Sequence, residues 1–257
     1  MKPFKTLYGV IAYLIFLATF LYAMAFVGNI AVPKSIDIGL PFDARGESLA
    51  ATLLIDVLLL GIFAVQHSVM ARPAFKRWWA HIVPAAIERS TYVLLASAAL
   101  LFVFIEWRPI AGSVWDLGGT TAGHLLAIVS ALGWMLVLAA TFQIDHFELF
   151  GLKQVWHHMV GREPLQPEFR VPMLYRQVRH PIYLGFMLAF WSTPTMSWGH
   201  LLFAAVTSAY ILLGIAFEER DLIAQFGERY RTYQKQVGML LPRARRRADA
   251  RDSTAAP

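Results

Sequence analysis

A chain of 257 residues that is 57% apolar and only 16% charged, with a mean hydropathy of +0.51, does not have the composition of a soluble domain, in which about a quarter of residues carry charge. It contains no cysteine, which excludes disulfides, thiolate metal sites and a cysteine nucleophile, while the redox compartment stays open. The net charge of +6 is gathered in particular loops, and no nucleic-acid partner is expected.

The first apolar run covers about 7–28, behind Lys2 and Lys5. "AMA" at 23–25 imitates a cleavage site, but the run exceeds the ~7–15 residues of a signal-peptide core, so it reads as a retained helix. Further runs follow at about 49–67, 91–106 and 122–144. A polar stretch with prolines at 164, 167, 172 and 181 separates them from two short apolar arms, about 182–196 and 200–217, joined through "SWG". The arms predict a helical hairpin, either one crossing plus a re-entrant piece or two tilted short helices. Residues 218–237 predict an amphipathic interfacial helix, stopped by Pro242. The expected fold is an all-α integral membrane protein with about five transmembrane segments, the last a helical hairpin, plus a C-terminal interfacial helix. Residues 1–242 read as one domain, and 243–257, "RARRRADARDSTAAP", as a disordered basic tail.

Orientation follows from Lys and Arg in the short loops. Loop 29–48 carries Lys34 and Arg45, and loop 107–121 only Arg108. Loop 68–90 carries Arg72, Lys76, Arg77 and Arg89, and loop 145–181 carries Lys153, Arg162, Arg170, Arg176 and Arg179. Both termini are therefore expected on the cytoplasmic side of an inner (plasma) membrane. No internal repeat is visible, which argues against a transporter built from two related halves.

The segment "RQVRHPIYLGF", 176–186, sets two arginines and a histidine before a proline at the mouth of an apolar run. Pro181 suits a first helical turn, with His180 as cap. A helix N-terminus there, with Arg176 and Arg179 beside it, suits a carboxylate or phosphate. The bland alternative is that the arginines mark topology and Tyr183 is an interfacial aromatic. Gly185 leaves room for a ligand or for another backbone. Glu218 and Glu219, in "FEERDL", return to the same side one hairpin later. Two carboxylates beside an apolar run could bind an amine, a sulfonium or ribose hydroxyls, or could simply be solvated charges on an interfacial helix.

Together "RHPIYLGF", "EERDL" and "FGERYRTYQKQVGMLLP" resemble the C-terminal signature of the isoprenylcysteine carboxyl methyltransferase superfamily, over about 175–242. Upstream, "QHSVMARPAFKRWW", "ERSTYVLLASAALLF", "WRPI" and "TFQIDHFELFGLKQVW" resemble its bacterial branch, which holds small-thiol methyltransferases and related membrane proteins of denitrification gene clusters. The resemblance implies S-adenosylmethionine as cofactor, held by Tyr175, Arg179, His180, Pro181, Tyr183, Glu218 or Glu219, and Tyr230, with Gln154 contributed by the upstream motif. It implies methyl transfer to a small thiol, methanethiol to dimethyl sulfide being favoured. Other thiols or selenols, a prenylcysteine carboxylate, and a non-enzymatic accessory role in nitrogen-oxide respiration remain alternatives.

A small alkanethiol has a pKa above that of cysteine, ~8.5, and reacts as the thiolate. A positioned base, or a desolvated cationic pocket that favours the anion, is therefore expected. The adjacent Asp145 and His146, at the end of the fourth run, could act as base and orienter, and His67 at the end of the second run is the other candidate. Interfacial polarity explains each of them equally simply. No His-x-x-x-His or Glu-x-x-His pair shares a helix face, so no metal site is expected.

Overall fold

The computed structural model describes residues 2–40, 46, 48–164 and 168–243; the expected tail beyond 243 lies outside the described residues. Five helices are long and apolar enough to cross a membrane: α1 (Lys2–Gly28), α2 (Leu49–Ala71), α4 (Ala85–Glu106), α5 (Thr121–Ile144) and α9 (Trp198–Phe226). The protein is an all-α integral membrane protein, as expected. Between the spans lie the short helices α3 (Pro73–Trp79), α6 (His146–Leu149) and α7 (Leu152–Val160), a helical turn at Leu174–Arg176, the half-length α8 (Pro181–Trp191), and α10 (Glu228–Gln236).

The helices neighbour one another in a ring. α1 packs on α4, α4 on α2, α2 on α9, α9 on α8, and α8 on α5. Phe20 of α1 meets Trp134 of α5 edge-on at 5.6 Å and brings the ring round. The shared core holds Phe26, Leu59, Leu60, Phe104, Trp107, Phe190 and Phe203, while large apolar side chains such as Leu54, Leu58, Ile62 and Val65 on α2 are exposed. That inversion fits lipid as the surrounding solvent, where exposed apolar surface costs nothing.

The α5–α8 pair is the closest. A Cβ on Gly133 would lie 2.7 Å from the Gly185 carbonyl oxygen, and one on Gly185 at 2.7 Å from that of Gly133. Small residues let two backbones touch where lipid provides no hydrophobic driving force. Of the two occupants open at Gly185, the neighbour is a backbone. The crossing also fixes depth. Gly133 is eleven residues from the end of α5 and Gly185 only four from the start of α8. At 1.5 Å per residue, Pro181 sits about 10 Å below the end of α5. The first turn of α8 is recessed into the bundle.

The hairpin is asymmetric. Its first arm is α8 followed by an extended segment ending in β2 (Thr195–Ser197), which pairs antiparallel with β1 (Ser113–Asp116) at the far end, Trp115 opposite Met196 and Asp116 opposite Thr195. The two short arms expected from the sequence are thus a half-helix and a full span. The second arm does not stop at 217: α9 runs 29 residues, roughly 43 Å, longer than the ~30 Å hydrocarbon core. Residues 218–226, expected in a separate interfacial helix, are its continuation. The break comes at Gly227, at φ +57, a conformation that suits glycine, and only α10 beyond it is separate.

Candidate functional site

The recessed end of α8 gathers the C-terminal motif. α8 starts with Pro181 in its first turn and His180 as N-cap, but His180 makes no side-chain cap bond. Its Nε2 instead donates to Glu219 Oε1 at 3.0 Å, and its Nδ1 lies 3.9 Å from Glu218. Arg179 Nε donates to the same Glu219 oxygen at 2.6 Å, and Gln234 Nε2 donates to Glu219 Oε2 at 2.8 Å. One carboxylate therefore ties α8, α9 and α10 together. Arg179 also donates to the carbonyls of Gln234 (3.2 Å) and Val237 (2.5 Å) at the end of α10.

The chain beyond α10 folds back under this motif. The backbone N–H groups of Arg179 and His180 donate to the carbonyls of Gly238 (2.8 Å) and Met239 (3.1 Å), and Val178 bridges Gly238 in parallel. Tyr233 donates to the Tyr175 carbonyl at 2.5 Å. "VGMLLP" thus pins the segment that leads into α8.

Glu218 is different from its neighbour. It is half-exposed, 43% against 15% for Glu219, and it accepts a hydrogen bond from the Tyr183 hydroxyl at 2.9 Å. Tyr175, Tyr183 and Tyr230 all lie within its electrostatic reach. Burial raises the pKa of Tyr175 and Tyr230, and the nearby glutamates push it further up. Both therefore present neutral rings. A half-exposed carboxylate bonded by one tyrosine, with two further neutral tyrosines nearby, suits a soft cation. Tyr175, Arg179, His180, Pro181, Tyr183, Glu218, Glu219 and Tyr230, all expected from the sequence, are brought together here.

Gln154 stands elsewhere. It donates to the Glu148 carbonyl at 2.9 Å and lines a separate cavity of about 640 Å³ with Lys76, Arg89, Asp145 and His157.

Asp145 and His146 turn to different partners. Asp145, at φ +118, caps α6 by accepting from the Glu148 N–H at 3.0 Å and is ion-paired with Lys153. Burial alone would raise its carboxyl, but Lys153 and the Glu148 N–H hold it below the usual carboxylate range. His146 is buried at 4% and stacked on Phe142. Thr141 donates its own hydrogen to Leu138 at 2.7 Å, so it accepts from His146 Nδ1 at 2.9 Å. The lone pair is then on Nε2, where Tyr13 donates at 2.9 Å. Both ring nitrogens are used.

His67 lies under α4, its ring nitrogens 3.1 and 3.0 Å from the Tyr92 hydroxyl. One residue on, Ser68 donates to the Tyr210 hydroxyl of α9 at 3.2 Å. Tyr92, Tyr210 and Gln234 were not singled out in the sequence. A tyrosine within an apolar run at helical spacing from a motif carboxylate (Tyr210 and Glu218, eight apart) was the signal available. Among the described residues no three His, Asp or Glu side chains converge to hold a metal.

An integral membrane bundle with a tyrosine-bonded carboxylate beside the recessed start of α8 defines the class. More narrowly, the chain belongs to the family described as NnrU protein, which matches residues 55–232. It is 53% identical to methanethiol S-methyltransferase 2 of Bradyrhizobium diazoefficiens, over 96% of this chain and 94% of that one. It is 49% identical to methanethiol S-methyltransferase of Crocosphaera subtropica, over 94% and 92%. It is also 49% identical to methanethiol S-methyltransferase of Mycobacterium tuberculosis, over 94% and 98%. No solved structure matches the chain.

Proposed function

We propose that the protein transfers a methyl group from S-adenosylmethionine to methanethiol, giving dimethyl sulfide, from a site open to the cytoplasmic side of the inner membrane. The observation that carries this reading is near-complete coverage at about half identity by relatives of that name. The same relatives do not favour the accessory-protein alternative.

The residues fit the donor. S-adenosylmethionine supplies a methyl group on a sulfonium, whose departure leaves a neutral thioether. Glu218 provides the negative charge, and the faces of Tyr175, Tyr183 and Tyr230 provide cation–π attraction worth ~0.5–2 kcal/mol. The first N–H groups of α8 have no partner within the helix and suit a carboxylate at a positive helix end. Arg179 and His180, both bonded to Glu219, hold that end in position. Methyl transfer is an in-line displacement, so alignment supplies most of the rate.

The test is direct. Purified protein with S-adenosylmethionine and methanethiol should release dimethyl sulfide into the headspace. Calorimetry without thiol should show S-adenosylmethionine binding that weakens at least tenfold in Glu218→Ala, a loss of ~1.4 kcal/mol for the sulfonium's charge contact, with a smaller loss for S-adenosylhomocysteine, which has no sulfonium. A wild type that neither binds nor turns over refutes the reading.

A further inference from the structure

The stripe of α9 that carries Glu218 does not end there. Tyr210, Gly214 and Glu218 are spaced by four, on one face of the helix, and the two outer members are about 12 Å apart. At Gly214, between them, a Cβ would meet a single atom within 4 Å, the Tyr183 hydroxyl at 4.0 Å. The space beside Gly214 is open, bounded towards the motif by Tyr183 and its partner Glu218. On the other side, Tyr210 links through Ser68 to α2, where His67 meets Tyr92 of α4. Tyr92 and Tyr210 both lie within electrostatic reach of Tyr183. Polar side chains thus flank the space beside Gly214 on both sides, Tyr183 and Glu218 on one and Tyr210 with Ser68 on the other, with His67 and Tyr92 next along α2.

We infer that the open space beside Gly214, between Tyr183, Tyr210 and the His67–Tyr92 pair, is the binding site of the methyl acceptor, a small apolar thiol, with His67 as its base and Tyr92 as the residue that positions His67. This rests on the methyl-transfer reading above and assigns the acceptor side of that site.

Three physical points support it. In-line attack requires the acceptor on the face of the methyl group opposite the leaving sulfur, and with the donor against Glu218 the inward face opens on Gly214. A small alkanethiol dissolves in hydrocarbon, so a site deep in the bundle and partly open along α9 is one it can reach from the bilayer. His67 also has what His146 lacks. His146 spends its two ring nitrogens on two separate hydroxyls, whereas a single hydroxyl, that of Tyr92, serves the ring of His67. One hydroxyl proton can satisfy only one of the acceptors around it, so Tyr92 decides which tautomer His67 adopts.

The step balances. The thiol proton passes to the His67 ring nitrogen, and the sulfur lone pair forms the new S–CH3 bond. The old C–S bond breaks with its electron pair left on the departing sulfur, which becomes neutral. The proton then leaves His67 for water at the motif end. Tyr92 and Arg89 of α4 face His67 directly, and Glu88 of α4, Tyr210 of α9 and Arg72 at the end of α2 face its partner Tyr92. Arg72 is paired with Asp221 at 2.9 Å, and the Arg89 guanidinium lies over the Tyr92 ring at 5.1 Å.

The experiment uses wild type, Tyr92→Phe and His67→Gln in lipid nanodiscs. It measures S-adenosylhomocysteine affinity, dimethyl sulfide formation against pH, and the ring nitrogen shifts of 15N-labelled histidine. Donor-side affinity should stay within about twofold in both variants. At neutral pH His67→Gln should lower kcat by ~10²-fold or more, and Tyr92→Phe by about tenfold with KM for S-adenosylmethionine unchanged. Both deficits should shrink as pH rises past ~8.5, where the thiol begins to ionise unaided. The His67 signals, identified by their loss in His67→Gln, should report a changed tautomer balance in Tyr92→Phe. A purely structural Tyr92 would lower thermal stability and move neither the tautomer balance nor the pH profile; that result, or wild-type turnover in His67→Gln, overturns the assignment. If Tyr92→Phe does not fold, the kcat and pH profile of His67→Gln decide alone. An inactive wild type would instead sink the methyl-transfer reading itself.

Discussion

Glu218 and Glu219 are adjacent in sequence and have opposite duties. Glu219 accepts from Arg179, His180 and Gln234, so it is the structural carboxylate. Removing one member of a largely buried ion pair leaves an uncompensated charge, which costs about 3–5 kcal/mol. Glu219→Ala should therefore lower the melting temperature in detergent sharply, whereas Glu218→Ala should leave it nearly unchanged while losing donor affinity. Equal melting losses in the two variants would contradict the division. His146 belongs with Glu219. Burial holds its imidazole below the ordinary 6.5, against the opposing pull of Asp145. The unfolded chain therefore takes up this proton at a higher pH than the folded one, and stability rises with pH across that window. The contribution is complete above pH 6.5 and is lost as pH falls below it. His146→Gln should flatten the acid side of the melting profile without a pH-dependent defect in turnover. A turnover deficit that shrinks towards alkaline pH would return His146 to the chemistry.

At the scale of elements, the site depends on two close backbone approaches. Gly185 sets the depth of α8 by touching Gly133 on α5, and a Cβ there meets backbone atoms at 2.7–2.9 Å. Overpacking of this kind costs typically ~1–3 kcal/mol, and here the strain falls on the helix that carries His180 and Tyr183. Gly185→Ala should weaken S-adenosylhomocysteine binding and lower melting together, a coupling that calorimetry and thermal scans on one sample would show or deny. The family resemblance named all eight residues that meet at this end of α8, and those of Arg-His-Pro-x-Tyr and Glu-Glu each sit within one helical turn. What remained illegible was pairing across elements. That Glu219 rather than a ligand would occupy Arg179 and His180 depends on how α9 passes α8. That Tyr92 would meet His67 depends on α4 packing against α2. Neither contact has a local period to announce it. The extension of α9 past 217 was hidden for another reason: "FEERDL" changes polarity there without a helix breaker, and the actual breaker, Gly227, looks ordinary inside a motif.

For the whole molecule, the fold closes from its C-terminal end. The carbonyls of Gly238 and Met239 accept from the N–H groups that lead into α8, and a Cβ on Gly238 would fall 1.9 Å from the Leu241 carbonyl oxygen, so the turn at 238–241 is built on that glycine. Arg243 reaches back to the Lys235 carbonyl at 2.7 Å and is the last residue seen to hold this corner. The functional end of the domain should therefore lie between 237 and 243, not at the end of α10. A chain ending at Arg243 should bind S-adenosylhomocysteine as the full chain does, since none of the site's contacts comes from beyond it among the described residues. A chain ending at Gln236 keeps every side chain of the recess, including Glu218, Tyr230 and Gln234, yet should bind at least tenfold more weakly, because the entry to α8 loses two backbone hydrogen bonds worth about 0.5–1.5 kcal/mol each. Full binding by the chain ending at Gln236 would mean that α8 holds its position through α5 and Glu219 alone. Loss of binding by the chain ending at Arg243 would mean that the basic tail takes part in the site.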